Sequence, residues 1–243
     1  MKNSKVTIGA LYSVIGLLSL IGVIIVIRRT ILLVPVLING YHAIAISSRF
    51  AQMDDIFAQS PVLTLIHIIP GLVFIVLGPF QCMQNLRTRF PRWHRVSGPL
   101  FLAGGMITGI TALVMSFAMP AIGGVNQAAA TILFSLFLLY SLLKAFQQAK
   151  QRKTATHREW AIRAYAIGLA IASIRIINGI FFATSSFTHL TPHDFFGIGF
   201  WIGFVVHLIL AEVWINKTRQ VKTKVIVSGL SKDPFIECKS FNN

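Results

Sequence analysis

The chain has 243 residues, of which 55% are hydrophobic and only 12% charged. A water-soluble domain carries about a quarter of its residues as charges, so a soluble globule is excluded and lipid must be the solvent for much of the chain. The formal charge of +15 would suit a nucleic-acid partner. Here the basic residues stand in short segments between apolar runs, which orients a membrane protein and excludes a nucleic-acid face.

Residues 6–27 are an uncharged, apolar run, long enough to cross a bilayer as a helix. Lys2 and Lys5 precede it and no small-residue cleavage pattern follows, so it reads as a retained span. Arg28 and Arg29 then break the hydropathy. The ILLVPVLI that follows is too short to cross alone. Residues 28–60 are therefore expected to form a loop with its apolar part in the interface, then a short amphipathic helix ending at Ser60–Pro61. A seventh crossing through 31–48 is the alternative. Asp54 and Asp55 fall in this loop and read as a solvated or helix-starting pair.

Further spans are expected near residues 62–80, 97–119, 124–146, 161–183 and 195–215, giving an all-α, polytopic bundle of about six transmembrane helices. The polar, basic stretch 216–243 resembles no domain and is expected to be mostly disordered. The chain thus divides into 1–60 (first span and external loop), 61–215 (a five-span core) and 216–243 (a cytoplasmic tail). Eighteen lysines and arginines fall on the side of the two termini and three on the other, which places both termini in the cytoplasm of a plasma membrane. Cys82 and Cys238, the two cysteines, then lie where thiols stay reduced, so no disulfide is expected. Small residues four apart (Gly105 with Gly109, Gly199 with Gly203, Gly168 with Ala172) allow close helix contact, chiefly within the bundle.

Ionisable groups inside spans are costly and therefore informative. Counting about 1.5 Å per residue puts His67 and Arg175 level in the outer half, with Asn178 one turn beyond Arg175. No carboxylate of the chain is expected at that depth, so Arg175 calls for an anionic ligand, or for backbone carbonyls and water. Pro70 should kink the second span beside His67 and free a carbonyl. At the inner end, His94–Arg95 and His157–Arg158 stand where spans begin, and Glu212 lies nearby. Those histidines suit haem iron or a metal, the arginines a lipid head group or simple topology. His42, His189 and His193 fall on the outer side and read as a loose metal site or as solvated loop residues. No nucleophile elbow, P-loop, zinc-protease motif or carboxylate pair for acid–base work is present.

These residues also carry a likeness. His67–Gly71, LGPFQ at 77–81, LRTRFPRWHRVSG at 86–98, HREWAIRAYA at 157–166, Arg175 and Ala211–Glu212 together resemble a family of bacterial predicted membrane proteins, domain of unknown function 2306. The resemblance covers about residues 60–215. It implies a multi-spanning bacterial inner-membrane protein with a polar site built from these positions, and it implies no activity.

Three functions remain open on the sequence. The first is a haem-binding electron carrier, with His94 and His157 as one ligand pair, His67 and His207 as another, and Arg175 on a propionate. The second is a transporter or binder of a small anionic solute or lipid, with Arg175 as its clamp. The third is an accessory subunit or assembly factor that holds a membrane-protein partner.

Overall fold

The computed structural model describes residues 2–40 and 51–230. Among them the chain forms α1 (Lys2–Asn39), α2 (Ala51–Ala58), α3 (Pro61–Cys82), α4 (Gln84–Arg89), α5 (Pro91–Ala118), α6 (Gly124–Lys150), α7 (Thr154–Thr188) and α8 (Pro192–Leu230). Six of these, all but α2 and α4, are long and apolar enough to cross a membrane. The fold is an all-helical bundle of six spans. Short connections make successive spans neighbours: α3 packs on α5, α5 on α6, α6 on α7 and α7 on α8, while α1 lies against α3 and α7.

Proline opens α3 and α5, where its missing N–H costs no hydrogen bond. α3 stays helical through Pro70 and Pro79. Large apolar side chains such as Leu17, Ile24, Phe117 and Phe187 point outward, as helices do when hydrocarbon surrounds them.

The expectation for residues 28–60 needs correcting. There is no turn at Arg28–Arg29, because α1 continues through them and through Pro35 to Asn39. Arginine is a good helix former, and the two guanidiniums find a counter-ion on α2, so the charges end the hydropathy run without ending the helix. Residues 31–39 thus belong to the first span and begin no seventh one. The short helix before Pro61 is present as α2; residues 41–50, including His42 and Arg49, lie outside the described residues. At the other end, α8 runs on through the VKTKVIV segment to Leu230, so the first part of the presumed disordered tail has helical backbone. Cys238 is outside the described residues.

The close-packed positions are small for a local reason. Phe74, 1% exposed, stacks on Phe101 with ring centroids 4.4 Å apart. A Cβ on Gly105 would come within 2.8 Å of its ring, and one on Gly168 would strike the ring too. Gly109 accommodates Leu139, Gly203 accommodates Ile174, and Gly78 lies under the ring of Tyr165. The glycine spacings are used inside the bundle, where lack of a side chain lets helices approach.

Candidate functional site

A cavity of about 260 Å³ lies inside the bundle, walled by α1, α3, α5, α6, α7 and α8 and flanked by α2 and the α5–α6 turn. Three of its walls, on α7, α1 and α3, share one polarity gradient. On α7, Arg175 stands at one end and Ile171 and Ile167 follow one and two turns below. On α1, Arg29 is succeeded by Val26 and Gly22. On α3, Thr64 and His67 give way to Phe74. These three walls are polar towards α2 and apolar towards Phe74, over about 10–12 Å at 1.5 Å per residue, while α8 adds only Phe200 and Phe204. The deeper hydroxyl of Thr108 donates to the Gly104 carbonyl at 2.8 Å, so it adds little free polarity below.

Cationic groups outnumber anionic ones at the polar end. Asp54, 1% exposed, receives Arg28 in a two-pronged contact (Nη1 to Oδ1 3.1 Å, Nη2 to Oδ2 2.6 Å). Arg29 Nη1 lies 2.7 Å from the same Oδ1 but off the hydrogen-bond direction, and its guanidinium sits 4.3 Å above the Phe57 ring. Asp54 is therefore not solvated, although it does stand in the first turn of α2, as a helix-start acid does. Its charge also reaches Arg175, although the two make no ion pair. One carboxylate faces three guanidiniums. Arg29 and Arg175 repel each other, and Arg175 Nε is buried without a hydrogen-bond partner among the described residues.

His67 is held by Thr111 Oγ1, 3.0 Å from its Nδ1. The Thr111 proton is directed to the Ile107 carbonyl at 2.7 Å, so Nδ1 donates and Nε2 keeps its lone pair. His67 and Arg175 line the same cavity; Asn178 and His207 do not. Asn178 is buried against Gly199 with its amide unpartnered. His207 engages both ring nitrogens, Nδ1 with the Gly203 carbonyl at 2.9 Å and Nε2 with Ser173 Oγ at 3.3 Å.

The remaining sequence-derived positions lie at the opposite end, where α3 and α6 finish and α5 and α7 begin. His157 Nδ1 donates to the Ala145 carbonyl at 2.8 Å, and the His94 carbonyl accepts from Gln81, which also reaches Ser97 Oγ at 2.7 Å. Arg158 donates to Thr218 Oγ1 at 3.1 Å, and Arg95 is exposed. Glu212 takes both prongs of Arg163, at 2.5 and 3.0 Å. These contacts tie α7 to α6 and α8, and α3 to α5, and among the described residues no group of three or more His, Cys, Asp or Glu is gathered for a metal ion. Glu212 is 45% exposed, so Glu212→Gln is expected to lower stability by less than about 1 kcal/mol, seen as a small change in the thermal midpoint in detergent.

The residues that build this arrangement also place the chain among known sequences: the family model described as Predicted membrane protein (DUF2306) matches residues 64–215. The chain belongs to that family. No curated protein and no solved structure matches it. The DUF2306 segment contributes His67, Phe74 and Arg175 to the cavity, whereas Arg28, Arg29 and Asp54 precede it. The site is therefore composite, its family walls completed by α1 and α2. Sequence reasoning missed Arg29 and Asp54; their signal was two arginines in the middle of a helix-compatible apolar run, with a lone acidic pair a short distance on.

Proposed function

We propose that this DUF2306 protein binds a small organic anion within the membrane and serves its transport, with its termini on the cytoplasmic side. The observation that carries the reading is the surplus of cation at one cavity: Arg29 and Arg175 line the same space, Arg29 shares its carboxylate with Arg28, and Arg175 Nε has no hydrogen-bond partner among the described residues. An arginine inside a bilayer is costly unless an anion meets it, and a guanidinium binds carboxylate or phosphate through two parallel hydrogen bonds. The orientation rests on the excess of basic residues in the loops on the side of the termini. Arg28 and Arg29, two of the three residues that oppose that bias, are paired with Asp54.

The haem reading needs two imidazoles on one iron. Of the pair His67 and His207 the cavity includes His67 alone, and His207 spends both nitrogens on its own bundle. The geometry therefore favours the anion.

The test is thermal unfolding of the purified protein in detergent, with benzoate and inorganic phosphate titrated at constant ionic strength. At least one should raise the midpoint in a saturable way, since a ligand that binds only the folded state stabilises it. Arg175→Ala should insert and purify normally and lose that response. An unchanged response in Arg175→Ala would refute the reading, and so would a Soret band in the purified protein that disappears with His67→Ala.

A further inference from the structure

The cavity is polar at one end only, and that asymmetry specifies its occupant more narrowly than charge does. We infer that the ligand is a monocarboxylate with an unbranched or aromatic apolar body, its carboxylate between Arg29 and Arg175 and its hydrocarbon directed at Phe74. The inference rests on the anion-binding reading and names the ligand class for the same site.

The first support is the matching sense of the gradient on separate helices. From Arg175 to Ile167 on α7, and from Arg29 to Gly22 on α1, the wall changes from guanidinium to hydrocarbon over two turns. A free phosphate or a short hydrophilic acid would leave the lower two turns dry and unfilled, and apolar lining gains nothing from an occupant too small to touch it. A ligand that fills both ends gains charge-assisted hydrogen bonds above and apolar burial below.

The second is size. At about 30 Å³ per water, a 260 Å³ cavity holds the equivalent of roughly nine waters. That volume suits a carboxylate of about six to nine carbons. It is too small for a two-chain phospholipid, which separates a free acid from a membrane lipid as the source of the anion. The third is the floor. Phe74 stacks on Phe101 and fits against Gly105 and Gly168, where the ring has the space a side chain would take, so the slot has a fixed depth and should select chain length.

The experiment is a thermal-shift or calorimetric titration of the detergent-solubilised full chain with acetate, butyrate, hexanoate, octanoate and dodecanoate. Inorganic phosphate and 1-octanol are run beside them. Affinity should rise about fourfold per methylene from butyrate upward, peak near hexanoate to octanoate, and fall at dodecanoate. Octanol, which lacks the charge, should bind at least tenfold more weakly than octanoate. Leu138→Phe, which narrows the apolar end, should move the optimum to a shorter chain; the wild-type series stands alone if that variant does not fold. Phosphate or acetate binding as tightly as octanoate would overturn this inference and leave the anion site standing. Octanol matching octanoate, or a chain-length series unchanged in Arg175→Ala, would overturn both, because the head group would then go unread.

Discussion

Asp54→Ala is expected to destabilise the protein by about 3 kcal/mol, at the lower end of the range for breaking a buried ion pair. The carboxylate is 1% exposed and answers Arg28 and Arg29 together. Without it Arg29, only 11% exposed, keeps its charge beside Arg175 with no counter-ion. Arg28 is 51% exposed and recovers solvation, which moderates the loss. α2 would lose the contact that draws it to α1, so protease or thiol-reagent access to a cysteine placed at Gln59 should rise. The sign for ligand runs the other way. With Asp54 gone the arginines lack an internal partner, so a bound carboxylate should stabilise Asp54→Ala more than the wild type. Thermal midpoints of both proteins with and without octanoate measure the two effects together. A variant as stable as the wild type would show that the three-arginine cluster does not depend on this carboxylate.

Gly78→Ala is expected to cost about 3 kcal/mol, the upper end for overpacking a filled interior. The added methyl would occupy the ring of Tyr165. That ring is 4% exposed and its hydroxyl is held by Ser19 Oγ at 3.0 Å and the Ile75 carbonyl at 3.3 Å, so it cannot move aside without giving up both. The helices α3 and α7 would have to separate. Gly16→Ala is the matched control, because nothing lies within 4 Å of the added Cβ, and it should be neutral or slightly stabilising as alanine replaces glycine in a helix. Equal midpoints for the two variants in detergent would remove Tyr165 from the packing account.

The errors over residues 28–60 share one cause. A hydropathy window scores Arg28 and Arg29 as water-seeking wherever they stand, but the free energy of a charge depends on what faces it. Asp54 faces them only because α2 folds back onto α1, and no one-dimensional pattern contains that contact. The same limit applies to Asn178 and His207. Helical spacing put Asn178 on the face of Arg175, yet a neighbour's glycine, Gly199, receives it, and His207 is turned onto Ser173.

Composition and spacing alone determined that this chain lives in lipid, crosses it about six times and carries an arginine, Arg175, within a span. Those properties follow from summed transfer free energies and from helix rise, which are additive along a chain. Tertiary structure alone decided that Arg29 and Arg175 line one cavity, that Asp54 is the counter-ion of Arg28 and Arg29, and that the cavity runs from charge to hydrocarbon. Pairing and enclosure are properties of surfaces brought together by packing, and residues far apart in the chain contribute to them equally.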